Sequence, residues 1–228
     1  LSKRHGATSV YEYRDMGYFP EAVFNFLGNL GWNAGDDKEI YTRHEAAALF
    51  DLARVTRKPA VFDMDKLNFI NQEHLKMLDP EVRLSLVEPF WKEAGLPVDA
   101  FERRYLRDAL TLMGGRGQTI KELASYASYF LSYDIVRERY DGKDVTEEQK
   151  TLLKAFFSEL LSCAPWETEQ LEAFTREWAN AKAIKIKELA MPLRMALTGA
   201  KVSPGIFEVA ALMGKDEVRR RLAGYDFL

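Results

Sequence analysis

Residues 140–161, which read YDGKDVTEEQKTLLKAFFSELL, decide the fold class of this chain. Asp141-Gly142 could form a hairpin turn, but both flanking segments have the 3.6-residue apolar repeat of helices rather than the alternation of strands. Thr146 and Gln149 have the spacing of a capping box, in which two side chains satisfy backbone amides where a helix begins. We therefore predict a turn between two helices, the second of which covers 146–162.

The same signals recur along the chain and predict an all-α protein. Asp79-Pro80 marks another helix start, because aspartate suits the N-cap and proline suits the first helical position. Capping-box spacing also occurs at Thr42 with Glu45, Asp99 with Glu102, and Thr119 with Glu122. The predicted helices cover 20–30, 42–52, 63–77, 80–94, 99–113, 119–138, 146–162, 167–190, 192–198, 204–213 and 215–223.

Two polar breaks divide these helices into three predicted domains. The first break is Leu78-Asp79-Pro80, where proline forces the preceding residue out of helical geometry. The second is the turn Asp141-Gly142-Lys143-Asp144 between two long helices. The predicted domains are 1–79, 80–141 and 142–228.

The bulk composition is that of an ordinary soluble globular protein, with 47% apolar and 29% charged residues among 228. No apolar run approaches the roughly 20 residues that a membrane span needs, so we expect no membrane association. Cys163 is the single cysteine, which excludes an internal disulfide and fits a reducing cytoplasm. The chain starts at Leu1 without an initiator methionine, and we interpret this start as an internal cut.

The net charge of −3 counts against a nucleic-acid partner, because a free-standing nucleic-acid binder is usually basic. Any surface for nucleic acid must therefore arise from local clustering of cations. A helical protein-interaction module without nucleic-acid binding is accordingly the alternative function for this chain.

The first six residues, Leu1-Ser2-Lys3-Arg4-His5-Gly6, form a small basic segment with a hydroxyl group and a glycine. Two adjacent cations suit a phosphate group, because they neutralise charge that develops on phosphoryl oxygens. A solvated basic tail is the other interpretation, and these six residues alone favour it.

The continuation of this segment changes the interpretation. The chain resembles the bacterial glutamyl-tRNA synthetases, a class I family, in several blocks that keep their order. The blocks are LSKRHG at 1–6, VYEYRDMGYFPEA at 10–22, LGNLGW at 27–32, FDLARV at 50–55, PAVFD at 59–63, MPLRMALTG at 191–199 and SPGIFE at 203–208. The middle, about 80–180, is similar only in being helical.

The resemblance implies an enzyme that activates glutamate with ATP and Mg²⁺ to an adenylate and then transfers the glutamyl group to tRNA. Lys3 matches a catalytic lysine of the family's signature loop, which stabilises the α-phosphate, and Ser2 and Arg4 match neighbouring ATP-binding positions. The nucleotide-binding domain that precedes this loop in the family is absent from the sequence. We therefore expect the fragment to be inactive alone and to hold no cofactor of its own.

The resemblance also implies a helical stem-contact domain followed by two small helical anticodon-binding domains. Arg194 matches an arginine that contacts an anticodon base, and Ser203-Pro204 follow in a loop near the anticodon. Arg116 and Gln118 lie where the family reads another anticodon position. A structural salt bridge for Arg194 and a plain loop charge for Arg116 remain the alternatives.

A group of three lysines, Lys182, Lys185 and Lys187, could contact the tRNA backbone, since Lys182 and Lys185 have the spacing of one helix face. An ordinary solvated stripe is the alternative. The consecutive arginines 219–221 would point in different directions around a helix, and we expect them to contribute only to solubility.

The expected partner is glutamate tRNA, and whether glutamine tRNA is a second substrate stays open. We expect no DNA partner and a monomer. The three histidines, His5, His44 and His74, lack any cysteine or carboxylate pattern of metal-ligand type, so no metal site is predicted.

Overall fold

The computed structural model describes residues 9–35, 38–56 and 59–228 of the chain. These residues form thirteen α-helices and no strand, which confirms the predicted all-α class. The helices are α1 (Val10–Asp15), α2 (Pro20–Gly31), α3 (Arg43–Leu49), α4 (Met64–Met77), α5 (Pro80–Glu93), α6 (Arg103–Met113), α7 (Ile120–Ala127), α8 (Tyr133–Arg139), α9 (Glu147–Leu160), α10 (Thr168–Ala181), α11 (Lys187–Thr198), α12 (Ile206–Met213) and α13 (Lys215–Ala223). Across the described ranges, no helix combines the length and the apolar character that crossing a bilayer demands.

Local capping chemistry determines where several helices begin. The Thr42 hydroxyl accepts from the Glu45 amide at 3.1 Å, and the Glu45 carboxylate accepts from the Thr42 amide at 2.9 Å, so α3 begins with a complete capping box. Thr146 and Gln149 form the same reciprocal pair at the start of α9. The side chain of Asp79 caps α5 directly before its first residue, as predicted.

The predicted start at Asp99 is wrong. Residues Val98–Ala100 form a 3₁₀ turn, Phe101 is extended with φ −115° and ψ 145°, and α6 begins only at Arg103. The Phe101 ring stacks on Tyr105 with the centroids 5.3 Å apart. This stacking accompanies the extended backbone that separates Asp99 from the helix.

Two long predicted helices are interrupted. The segment 119–138 divides into α7, a 3₁₀ turn at Ser128–Phe130, and α8. The segment 167–190 ends as a helix at Ala181, and α11 runs through Pro192 rather than stopping before it. The break after α10 falls at Ala183, which has a left-handed φ of 53° and is followed by an Ile184 amide that donates to the Ala179 carbonyl at 3.0 Å.

The left-handed backbone at Ala183 gives a stability prediction. This is the position of a helix C-terminus where glycine is favoured, since a Cβ atom is strained at positive φ. We expect Ala183→Gly to raise the free energy of unfolding by about 0.5–1 kcal/mol. Urea denaturation would measure the change.

Ala173→Gly is the matched control for this prediction. Ala173 is exposed in the middle of α10, where glycine should lower stability by about 1 kcal/mol. A loss of stability in both variants would contradict the strain at Ala183.

The helices assemble into two compact units. The first contains the described residues up to Ala94 together with 114–126, and the second contains 95–113 with 127–228. The predicted domains 1–79, 80–141 and 142–228 are divided by expected function. The division into two compact units does not test them, and they stay a prediction.

The first unit is built around the packing of α2 on α4. Its core contains Tyr13, Phe26, Leu67 and Ile70, all buried. Asn71 on α4 is fully buried and joins two distant segments, because its side chain accepts from the Phe19 amide at 2.8 Å and donates to the Gln118 carbonyl at 2.6 Å. This amide therefore fixes the start of α2 and the loop before α7 against α4.

The second unit contains a buried arginine that the sequence reading assigned only to solubility. Arg221 on α13 is 1% exposed and donates to Glu217 at 2.6 Å and to the Leu197 carbonyl at 2.6 Å. Arg219 and Arg220 are themselves exposed and pair with Asp216 and Glu217, respectively. The prediction is thus wrong for Arg221, because the helix turns that one position of the three toward the interior.

Candidate functional site

The site residues predicted from the sequence are distributed over different parts of the chain. Ser2, Lys3 and Arg4 lie outside the described residues. Arg116 and Gln118 belong to the first unit. The second unit contains the remaining predicted residues, which are Arg194, Ser203, Pro204, Lys182, Lys185 and Lys187.

The structure brings Arg194 together with Ser203 and Pro204. Nη1 of Arg194 donates to the carbonyl of Ser203 at 3.2 Å and to the carbonyl of Pro204 at 3.0 Å. It also contacts the Ser203 hydroxyl, which in turn donates to the Pro204 carbonyl at 2.8 Å. A guanidinium on α11 therefore holds the loop between α11 and α12 in one conformation.

The other end of this loop is fixed by the way in which α11 terminates. Gly199 adopts a left-handed φ of 65° as the helix cap, and its amide donates to Met195 at 2.9 Å. A Cβ atom at Gly199 would approach the Arg139 Cβ to 2.9 Å, so this position requires glycine. The Thr198 hydroxyl donates to the Arg194 carbonyl at 2.8 Å. We call residues 199–205 the anchored loop.

The anchored loop exposes two residues that were not predicted as site residues from the sequence. Within the loop, Ser203 and Pro204 are buried, whereas Lys201 and Val202 are exposed, and Val202 is 79% accessible. The sequence contained no signal for this exposure beyond the position of the two residues between Gly199 and Ser203-Pro204. A cation and an apolar side chain therefore form the accessible surface of this loop.

The three lysines do not share a helix face, so the reason given for grouping them is wrong. Lys182 caps the end of α10, Lys185 lies in the connection, and Lys187 is the first residue of α11. The left-handed turn at Ala183 breaks the helix that would have aligned Lys182 with Lys185. All three side chains are nevertheless exposed and cluster along one short connection.

In the first unit, Arg116 and Gln118 lie on a loop whose backbone is fixed. Gly117 has φ +92°, and a Cβ atom there would meet the Leu123 amide nitrogen at 2.8 Å. The Gln118 amide donates to Glu122 at 2.8 Å, and its carbonyl accepts from Asn71. The side chains of Arg116 and Gln118 are exposed on this ordered loop.

Within 9–35, 38–56 and 59–228, no three histidine, cysteine, aspartate or glutamate side chains are grouped as metal ligands. The exposed groups of the anchored loop and of the loop at Arg116 instead offer hydrogen-bond donors, positive charge and apolar surface. Such groups suit a polyanion with accessible bases.

Two family models match the chain. The model described as anticodon binding domain matches residues 83–225. The model described as the catalytic domain of class I tRNA synthetases (E and Q) matches residues 1–69. The anticodon binding domain model covers α6 to α13. It therefore includes Arg116, the three lysines 182, 185 and 187, and the anchored loop.

Known proteins similar to the chain agree with these matches. A glutamate–tRNA ligase from Nitrosomonas europaea is 39% identical over 98% of this chain and 48% of the relative, and one from Syntrophus aciditrophicus is 37% identical over 97% and 47%. A crystal structure of a glutamate tRNA ligase from Elizabethkingia meningosepticum, in complex with its amino acid, superposes with a TM-score of 0.81 at 25% identity, covering 99% of this chain and 44% of that one.

These similarities confirm the resemblance to glutamyl-tRNA synthetases that the sequence blocks indicated. The chain spans about half the length of the curated relatives that it matches.

Proposed function

Because the chain belongs to the anticodon binding domain family, we propose that it binds glutamate tRNA and contacts the anticodon loop. The observation that carries this proposal is the anchored loop, whose conformation Arg194 fixes through the carbonyls of Ser203 and Pro204. A rigid loop is suited to single-stranded RNA because unstacked bases are read by contacts of fixed geometry. A protein-interaction module without RNA binding has no comparable support from the family match.

In this mechanism each element has a separate task. Arg194 positions the anchored loop, and its planar guanidinium would offer a stacking face to a base on the loop. Val202 offers apolar surface to a base and Lys201 offers charge to a phosphate. The exposed lysines 182, 185 and 187 would contact the backbone of the stem, which makes binding dependent on salt.

We extend the proposal to the first unit through Arg116 and Gln118. Their side chains are exposed on a loop held by Gly117, Glu122 and Asn71. An exposed amide and guanidinium on a fixed backbone can donate hydrogen bonds to base edges. Whether a glutamine anticodon is accepted would depend on the contacts of these two side chains.

For the whole protein we propose the activity of the relatives, attachment of glutamate to tRNA, with cytoplasmic location and a monomeric state. ATP would supply the activated phosphate, the cations Lys3 and Arg4 would neutralise its charge, and the Ser2 hydroxyl would donate a hydrogen bond to it.

A titration of the chain with glutamate tRNA tests the proposal. We expect binding that weakens as salt rises, and Arg194→Ala should weaken it roughly tenfold to a hundredfold, as one lost guanidinium contact of about 1–3 kcal/mol implies. Lys201→Ala, at an exposed position, should weaken binding without altering the thermal transition. Filter binding at two salt concentrations would measure both.

Arg219→Ala is the matched control, because it removes an equal charge from an exposed ion pair with Asp216. We expect its affinity to equal that of the wild type. Equal losses in Arg194→Ala and Arg219→Ala would show that only bulk charge matters. Absence of binding at low salt would overturn the proposed function.

A further inference from the structure

The loop that carries Arg116 lies against the second half of α4, within the first unit. We call residues 114–118 the Arg116 loop. Residues 70–82, which include this half of α4, lie between the ranges that the two family models match. None of the site residues predicted from the sequence belongs to α4. A side chain of α4 that acts on the Arg116 loop is therefore an addition to the proposed site.

A glutamine of α4 holds the first half of the Arg116 loop. Nε2 of Gln72 donates a hydrogen bond to the carbonyl of Gly115 at 2.5 Å, although the two residues are 43 apart in sequence. That carbonyl belongs to the same planar peptide group as the amide of Arg116. The hydrogen bond from the half-buried Gln72 therefore fixes the peptide plane from which the Arg116 side chain projects.

Lys76, one turn further along α4, packs on the same glycine. Gln72 and Lys76 have i,i+4 spacing and so lie on one helix face. Cε of Lys76 occupies the space that a Cβ atom at Gly115 would need, and the Lys76 ammonium pairs with Glu73 at 2.5 Å. The absence of a side chain at Gly115 thus allows α4 to approach the backbone of the loop closely.

The second half of the Arg116 loop is held by the residue of α4 that precedes Gln72. The Asn71 side chain donates to the Gln118 carbonyl at 2.6 Å. Two adjacent amides of one helix therefore bind carbonyl groups on either side of Arg116. Three of the five loop residues are glycines, and glycine loses more conformational entropy on ordering than any other residue. Such a loop needs hydrogen bonds of this kind to keep a single conformation.

We propose that Gln72 is a positioning residue for tRNA binding. It directs the Arg116 guanidinium toward the RNA by holding the Gly115–Arg116 peptide group, and it makes no contact with the RNA itself. The proposal rests on the proposed role of Arg116 in binding tRNA. A side chain that is already oriented loses less conformational freedom when it binds, so loss of the Gln72 hydrogen bond should weaken binding about threefold to tenfold.

A spin label tests the ordering of the loop in the absence of tRNA. The background variant is Cys163→Ser, and the label is attached through Arg116→Cys. We expect its paramagnetic resonance spectrum to show restricted motion, and greater mobility when Gln72→Met removes the donor but keeps the length of the side chain. Gln170→Met, at an exposed position of α10, is the matched control and should leave the spectrum unchanged. A label that is equally restricted with and without Gln72 would overturn the proposal.

A double-mutant cycle with glutamate tRNA tests whether Gln72 acts through Arg116. Alone, Gln72→Met should weaken binding about threefold to tenfold while the helical circular dichroism stays unchanged. In the Arg116→Ala background it should cause no further loss, whereas in the Arg194→Ala background it should cause the full loss. Equal losses in the two backgrounds would mean that Gln72 does not act through Arg116, and would overturn the proposal.

Further outcomes separate this proposal from the function on which it rests. Failure of the wild type to bind glutamate tRNA at low salt would overturn the proposed function and this role of Gln72 together. Binding that Gln72→Met leaves unchanged would overturn the role of Gln72 alone. Gln72→Ala removes the same donor with a smaller side chain and should behave as Gln72→Met does. A difference between the two would mean that side-chain bulk matters rather than the hydrogen bond, and would also overturn it.

Discussion

Replacing Arg221 with leucine is expected to lower the free energy of unfolding by about 3 kcal/mol. The guanidinium is 1% exposed and joins Glu217 to the carbonyl of Leu197, so its removal leaves a partly buried carboxylate and a buried carbonyl without this donor. Arg220 still pairs with Glu217 and keeps the loss near the lower end of the range for a broken buried pair. Urea denaturation followed by circular dichroism would measure it.

Arg219→Leu is the control on the same helix. Its partner Asp216 is exposed, so the change should stay within about 0.5 kcal/mol of the wild type. Similar losses at positions 219 and 221 would contradict the structural role assigned to the buried arginine.

The same ion pair has a consequence for pH. Burial would raise the pKa of Glu217, but the hydrogen bonds and charges of Arg220 and Arg221 outweigh it and hold that pKa below the usual 4.5. A carboxyl whose folded pKa is depressed stabilises the protein above its unfolded pKa and loses this contribution as pH falls through the folded value. The stability difference between the wild type and Arg221→Leu should therefore shrink below about pH 4.5.

Asn71→Ala is expected to lower stability by about 3 kcal/mol, because it orphans the Phe19 amide and the Gln118 carbonyl together. These groups lie 52 and 47 residues away along the chain, so one side chain connects three segments of the first unit. Hydrogen exchange should also accelerate at the Ile120 amide, which donates to the Gly17 carbonyl at 2.8 Å beside this junction.

Asn68→Ala provides the comparison, with the same side chain removed from the same helix. Asn68 is half-buried and accepts one hydrogen bond, from the Tyr18 hydroxyl at 2.6 Å. The loss there should be about 1 kcal/mol, with unchanged exchange at Ile120. Equal losses in both variants would mean that Asn71 does not join the segments as described.

Only part of the candidate site could be predicted from the sequence. The block around Arg194 identified a guanidinium near Ser203 and Pro204, and the three do lie together. The sequence did not predict that Ser203 and Pro204 are buried, because their burial depends on how the loop folds over the end of α11. Lys201 and Val202 are exposed for the same reason.

The sequence by itself determined the helical class and the capped helix starts at Thr42, Asp79 and Thr146. These features depend on hydrogen bonds between groups a few residues apart. The donor and the acceptor are therefore close together in the sequence. The left-handed end of α11 at Gly199 belongs with them, since a glycine cap is a local requirement.

Only the tertiary structure decided which of three consecutive arginines is buried and that Asn71 joins three segments. Each outcome depends on groups far apart in sequence, such as Arg221 with Leu197 and Asn71 with Phe19. Losing one of those contacts is costly, because a buried polar group without a hydrogen-bond partner destabilises the fold. The partner can come from any segment of the chain. Local propensity contains no information about which distant segment that partner comes from.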